Sequence, residues 1–115
     1  MKNNQTTSLI VALKRLAIEQ QRPLWKRIAT DLEAPTRRHR VINLWRIEEQ
    51  AKDGETIIVP GKVLGDGLLT KKITIAAGSC SAEAKRKLAA SGSKFLSIEE
   101  LARKHPDGKD IRILG

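Results

Sequence analysis

The middle of the chain carries the stretch TIIVPGKVLGDG, residues 56–67, and this stretch decides the fold. Its β-branched, apolar run at residues 56–59 predicts a strand, which the following Pro-Gly pair bends before the strand resumes. Residues 65–67, Gly-Asp-Gly, are typical of a tight turn. Apolar and more polar residues then alternate over residues 72–77, which predicts a returning strand with one buried face.

Upstream of this stretch, the apolar residues recur with the period of a helix. Residues 6–8 offer N-cap side chains for a first helix. Pro23 is suited to the first position of a second helix, and Pro35 ends it because a proline forces the preceding residue out of the helical region. A basic loop follows at residues 36–40, and the spacing of apolar residues predicts a short helix within residues 41–51.

Downstream, the elements alternate between helix and strand. Ser81 is a candidate N-cap for a helix that ends at Gly92, and residues 95–96 form a short strand. A capping box precedes a helix at residues 98–104, and residues 111–114 form a terminal strand. The sequence therefore predicts an α+β protein in which N-terminal helices and a basic loop precede a mixed, irregular strand-and-helix domain.

The chain length and the distribution of charge give the domain organisation. With 115 residues, we expect one domain spanning 1–115. The net charge is +9, and residues 1–46 hold ten lysines and arginines against three acidic residues. We therefore divide the domain into a basic helical anchoring region, 1–46, and a mixed core, 47–115.

The composition limits the class of partner. Aromatic residues are scarce, which argues against a carbohydrate or apolar ligand pocket, and the basic excess favours a polyanion, either nucleic acid or an anionic membrane surface. The only cysteine, Cys80, has no internal disulfide partner, which suits a reducing cytosol, and we expect it to be a small apolar filler. No apolar run reaches the length of a membrane span or a secretory signal core, so the sequence predicts a cytoplasmic protein without a membrane partner. We expect both tryptophans, Trp25 and Trp45, to be core residues.

Signals for catalysis, metals and cofactors are missing from the sequence. The acidic pairs at 48–49 and 99–100 are sequential, so on a helix they point apart. Neither His39 nor His105 has an acid or nucleophile at a useful spacing. The glycines match neither a phosphate-binding loop nor a dinucleotide fingerprint. We therefore predict no enzyme activity, no cofactor, no metal and no small-molecule substrate.

Three segments together resemble one protein family. They are PLWKRIA at residues 23–29, VINL at 41–44, and above all VPGKVLGDG at 59–67. The chain resembles large-subunit ribosomal protein eighteen of archaea and eukaryotes, which is homologous in part to bacterial large-subunit ribosomal protein fifteen. The compact length looks archaeal. The resemblance implies a structural protein of the ribosome with a mixed fold and a basic N-terminal portion on RNA. It also implies that Lys62 contacts RNA, whereas His39 stands in a loop that is more uniformly arginine-rich in relatives.

The expected function is therefore to bind ribosomal RNA through contacts of lysine and arginine with phosphates, and to support translation in the large subunit. The expected partners are large-subunit ribosomal RNA and neighbouring ribosomal proteins. An alternative is a regulatory DNA- or RNA-binding protein that uses residues 23–33 as a recognition helix, and a weaker one is a subunit of an RNA-modifying enzyme. The predicted RNA-binding residues are Lys14, Arg15, Arg22, Lys26, Arg27, Arg37, Arg38, His39, Arg40, Arg46, Lys62 and Lys71.

Overall fold

A computed structural model describes residues 4–34 and 40–114, which form five helices and five strands. This mixture confirms the predicted α+β class. In chain order the elements are α1 (Asn4–Gln20), α2 (Pro23–Glu33), β1 (Arg40–Asn43), α3 (Leu44–Gln50), β2 (Thr56–Leu64), β3 (Thr74–Cys80), α4 (Ala82–Ala90), β4 (Lys94–Ser97), α5 (Ile98–Lys104) and β5 (Ile111–Ile113).

The strands form a single sheet, and every pair in it is parallel. The long strand β2 lies at its centre, with β3 and then β4 on one side. Two short strands share the other side of β2: β5 pairs with Thr56–Ile58, and β1 pairs with Gly61–Leu64. The stretch at residues 56–67 therefore organises the sheet, because three strands pair with it.

The predicted bend in β2 is a β-bulge within one continuous strand. Val59 pairs with Ala77, whereas Lys62 pairs with Ser79, so two residues of β2 oppose one residue of β3. A Cβ on Gly61 would collide with the backbone carbonyl oxygen of Arg40 in β1. Glycine at this position therefore allows β1 to approach the bulge.

The prediction of a returning strand with one buried face is wrong. β3 runs parallel to β2, so the intervening residues cross over instead of forming a hairpin. Ile75 and Ala77 pack into one core cluster and Ala76 into the other, which buries both faces of β3. Parallel sheets have both faces covered by helices, and on the second face of β3 the buried residue is the small Ala76, which gives little sign of burial in the sequence.

Two hydrophobic clusters occupy the two faces of the sheet. Alternate residues of β2 reach opposite clusters: Ile57 and Val59 contribute to one, and Ile58 to the other. The first, which we call the α3–α4 face, includes Leu44, Ile47, Ala84 and Leu88 from the two helices. The second, the α1–α2 face, includes Leu13, Trp25, Ile28, Leu32 and, from α5, Leu101.

Short-range sequence patterns predicted most of the helix ends correctly. Ser81 caps α4 by accepting a hydrogen bond from the Ala84 backbone N–H at 3.1 Å. Ser97 and Glu100 form the predicted capping box at the start of α5. The first helix departs from the prediction because it begins at Asn4, so Thr7 and Ser8 lie inside α1 and do not cap it.

The short helix predicted within residues 41–51 is confirmed as α3, whereas the expected burial of Trp45 is wrong. Residues 41–43 belong to strand β1, because their backbone pairs with β2, and the helix begins only at Leu44. Trp45 is 49% exposed at the start of α3, in contrast to Trp25, which is fully buried as expected. The burial of Ile47 and Leu44 turns the Trp45 side of this short helix outward.

Candidate nucleic-acid interface

The turn between α1 and α2 determines where several basic residues lie. The Arg22 N–H donates to the Ala17 carbonyl at 3.1 Å, and the Gln21 N–H to the Ile18 carbonyl at 3.4 Å. These two bonds form a Schellman motif with Gln21 in the left-handed region, at a φ of 52°. Pro23 starts α2 immediately afterwards, so the turn is tight and Arg22 is held between the two helices.

Beside this turn lies a surface cleft of about 690 Å³ between α1 and α2. Three of the predicted RNA-binding residues, Lys14, Arg22 and Lys26, line it together. Lys14 forms an ion pair with Glu33 at 2.9 Å, whereas the side chains of Arg22 and Lys26 form no ion pair or hydrogen bond with any described residue. The remaining lining residues are Ala17, Ile18, Gln21, Pro23, Thr30 and Glu33.

The electrostatics of this cleft favour an anion. Glu33 is the one carboxylate among the described residues that line it, and Lys14 already neutralises that group. Arg22 and Lys26 therefore leave a positive excess at the cleft. Both side chains are exposed and are available to phosphate oxygens.

Arg15 and Arg27 are exposed on the same two helices but do not line the cleft. Their neighbours in sequence, Lys14 and Lys26, do line it, and adjacent helical residues differ in direction by about 100°. The basic residues of α1 and α2 are thus spread over the cleft and the surface around it.

Arg40 and Lys62 lie on the sheet. Arg40 was expected in the loop. It is instead the first residue of β1, because its backbone pairs with Gly61. Lys62 is exposed and pairs in register with Val41 and Ser79. Because its neighbour Val63 points to the α3–α4 face, Lys62 lies on the same side of the sheet as α1 and α2.

Arg46 and Lys71 lie elsewhere. Arg46 is exposed on α3, in the layer that covers the opposite face of the sheet. The Lys71 ammonium donates to the carbonyl oxygens of Glu48 and Ala51, each at 2.6 Å. Lys71 therefore caps the C-terminal end of α3, where a cation satisfies otherwise unpaired carbonyls. RNA contact by either residue stays a prediction.

Arg37, Arg38 and His39 lie outside the described residues. Their contact with RNA also stays a prediction. Six of the nine described residues that line the cleft were not predicted as site residues, among them Ile18 and Gln21. Ile18 gave a signal, because this isoleucine lies off the apolar side that the helical period predicts for α1, and the structure leaves it 79% exposed. Gln21 gave none, because glutamine is not the usual residue at a left-handed helix terminus.

No group of three or more His, Cys, Asp and Glu side chains lies close enough together to hold a metal ion in the described ranges. A hydrogen bond from the Thr70 hydroxyl, at 2.5 Å, is the main cause that lowers the pKa of Glu48. Burial raises the pKa of the Cys80 thiol, which favours its protonated form. No helix within the described ranges has the length and apolar character to cross a membrane.

Comparisons with known proteins agree with the resemblance. The family model described as ribosomal protein 60S L18 and 50S L18e matches residues 2–115. A protein of Methanoregula boonei is 41% identical over 97% of this chain and 93% of its own length, and one of Halobacterium salinarum is 40% identical over 94% and 92%. A third, from Pyrobaculum aerophilum, is 37% identical over 97% of this chain and 92% of its own length.

Each of these three relatives is named large ribosomal subunit protein eL18, and all three organisms are archaea. Proteins of this kind are ribosome components in the cytoplasm, so the predicted ribosomal class, archaeal character and location are confirmed at the level of the family. Since both the family model and these relatives cover nearly the whole chain, the protein belongs to the family of ribosomal proteins L18 and L18e.

Proposed function

We propose that the protein is a structural component of the large ribosomal subunit that binds ribosomal RNA mainly through the cleft between α1 and α2. The observation that carries this proposal is the convergence of Lys14, Arg22 and Lys26 on one cleft that holds a single, already paired carboxylate. Family membership supplies the ribosomal context. The proposed activity is binding, without catalysis.

The mechanism is neutralisation of phosphate charge. A polyanionic RNA holds condensed counterions, and each lysine or arginine that replaces one releases it to solution. Arg22 is the strongest candidate for a direct contact, because a guanidinium can bind two phosphate oxygens at once and Arg22 is held at the tight turn. Lys26, one turn into α2, supplies a second charge on the same cleft.

The surface extends from the cleft onto the sheet. Lys62 is exposed on β2, on the side that α1 and α2 occupy, whereas Arg40 is exposed on the edge strand β1 and shares the side of Ile42, toward the α3–α4 face. We propose that these residues, together with the loop at 36–40, widen the RNA contact. The α3–α4 face would then be available to neighbouring ribosomal proteins or to weaker RNA contacts.

The structure gives less support to a DNA-binding regulator. Residues 23–33 do form a helix, but α2 buries Trp25, Ile28, Ala29 and Leu32 against the core. The exposed side of α2 faces the cleft, and α1 forms the other wall of that cleft. α2 therefore does not project as an isolated recognition helix.

Salt dependence of binding tests the proposal. We expect the affinity of the full-length protein for large-subunit ribosomal RNA to fall steeply as salt rises. A double variant, Arg22→Ala with Lys26→Ala, should flatten the log–log slope by about 1.4–1.8, from about 0.7–0.9 for each lost phosphate contact.

The matched control is Lys85→Ala with Arg86→Ala. It removes the same residue types and the same charge from α4, on the opposite face of the sheet, where both side chains are exposed. Its slope should change much less. Equal losses from the two double variants would show that net charge alone drives binding, and a wild-type slope near zero would exclude the electrostatic mechanism.

A further inference from the structure

We infer that the α1–α2 cleft binds one unpaired nucleotide of the ribosomal RNA, with its base against the apolar wall and its phosphate at Arg22 and Lys26. This inference rests on the proposed function and specifies which part of an RNA the same site takes. The cleft volume, about 690 Å³, lies in the range of pockets that bind small organic ligands.

The apolar side of the cleft is the first reason to place a base there. Ala17, Ile18 and Pro23 form this wall, and Ile18 is 79% exposed. A phosphate gains nothing from such a surface, whereas a base or ribose that covers it removes apolar area from water. A duplex backbone would contact the cations and leave this wall without a partner.

The second reason is the amide of Gln21. It lines the cleft together with the apolar wall, and it makes no side-chain hydrogen bond with any described residue. An amide carries both a donor and an acceptor, so it matches the edge of a base. Phosphate oxygens, in contrast, are acceptors only.

The conformation of Gln21 is the third reason. A residue with a Cβ is disfavoured in the left-handed region, and a glycine is the usual residue at this position of a Schellman motif. Strained residues of this kind are frequent at ligand sites. Here the strain places an amide at the mouth of a cationic cleft, where a glycine would offer no side chain.

An unpaired nucleotide has a part that suits each of the three kinds of side chain in the cleft, which are cationic, amide and apolar. Sequence-specific recognition of RNA usually targets bases that are splayed out of a loop, bulge or strand end. Arg22 and Lys26 are positioned for the charged phosphate, Gln21 for the polar base edge, and Ile18 for the base face.

Chemical probing of full-length large-subunit ribosomal RNA tests the inference. Dimethyl sulfate and a carbodiimide modify the pairing edges of exposed bases. We expect the full-length protein to protect an unpaired base, and Gln21→Gly and Ile18→Ala to restore its reactivity. Gln21→Gly should weaken RNA binding about 2- to 10-fold, as for one neutral hydrogen bond, and leave the salt slope unchanged.

The variants are chosen so that folding is preserved. Glycine adopts the left-handed conformation without strain, and alanine is favourable on the exposed side of a helix. The matched control is Gln20→Ala, which removes a neighbouring exposed amide that does not line the cleft. This control should keep both the protection and the affinity.

Two results separate this inference from the proposed function. If the protein binds the RNA but protects no base, or if the protection survives in both cleft variants, the nucleotide site is excluded and the binding function stands. If filter binding shows no salt-dependent affinity for the RNA, the proposed function itself fails.

Discussion

Replacement of Lys87 by methionine tests how the crossover between β2 and β3 is held. The Lys87 ammonium donates to the carbonyl oxygens of Gly65 and Gly67 at 2.7 and 2.8 Å, and it pairs with Glu83 at 3.1 Å. These carbonyls belong to the Gly-Asp-Gly segment, whose middle residue accepts a hydrogen bond from the Trp45 N–H at 3.0 Å. Lys87 thus holds this part of the crossover against α4, and the Trp45 N–H holds it at the start of α3.

The expected loss follows from these contacts. A hydrogen bond from a charged group contributes about 1.5–3 kcal/mol when it is shielded from water. The Lys87 side chain is 25% exposed, so water replaces part of each bond after substitution. The pair with Glu83 spans one helical turn and adds about 0.3–0.5 kcal/mol. We therefore expect the free energy of unfolding to fall by about 2–3 kcal/mol in Lys87→Met.

Urea denaturation followed by circular dichroism measures this loss. Arg86→Met is the matched control, because Arg86 is exposed on the same helix and its side chain contacts no described partner. A surface substitution of this kind changes stability by less than about 0.5 kcal/mol. If Lys87→Met and Arg86→Met cost the same small amount, the three contacts of Lys87 do not hold the crossover.

Three further substitutions have defined outcomes. Gln21→Gly should raise the free energy of unfolding by about 0.5–1 kcal/mol in urea, because it relieves a left-handed φ of 52°, and a loss would contradict the strain. Trp25→Phe should lower it by about 2–3 kcal/mol, because it empties buried volume and removes the 2.8 Å bond from the indole N–H to the Pro106 carbonyl, while an unchanged midpoint would contradict that burial. The pKa of Glu48 is lowered in the folded state, so its contribution is present above the ordinary value of 4.5 and is lost as the pH falls through the lower folded pKa. Acid titrations of wild type and Glu48→Gln should therefore converge at low pH, and parallel curves would contradict the shift.

Features that depend only on residues close together in the sequence could be predicted. Ser81 and Ser97 cap their helices through backbone groups three residues away, so the signal and the structure share one window. Pro23 similarly starts α2 where its missing N–H costs nothing. The bend after Val59 could also be predicted, because proline has no N–H to donate to the neighbouring strand and so interrupts the regular pairing.

Features that depend on distant partners could not be predicted. β1 is a strand only because residues twenty-one positions later, Gly61–Leu64, offer a parallel edge to Arg40–Asn43. Read alone, Arg40 fits the preceding basic loop, and the three residues after it fit either a helix or a strand. The exposure of Trp45 has a related cause: the crossover binds the Trp45 backbone N–H through the Asp66 carbonyl but leaves the residue 49% exposed.

The candidate site likewise combines a feature that the sequence shows, its positive charge, with features that only the fold determines. The excess of positive charge in the first part of the chain is visible from composition, but the fold determines which lysines and arginines bind internal acceptors. Lys71 and Lys87 direct their ammonium groups at backbone carbonyls of the α3–α4 face. Arg22 and Lys26 have no such partner among the described residues and face a cleft.

This difference follows from the architecture of the sheet. The crossovers around the α3–α4 face leave carbonyl groups that no helix or strand partner satisfies, and a lysine that satisfies them is unavailable to RNA. On the α1–α2 face, two helices satisfy most of their own backbone groups and meet at a Schellman turn. Arg22 and Lys26 therefore have no backbone carbonyl to bind within the described residues, and Lys14 pairs with the Glu33 carboxylate instead. Under the proposed function, a count of lysines and arginines therefore overstates the charge that the second half of the chain offers to RNA, because backbone carbonyls bind Lys71 and Lys87.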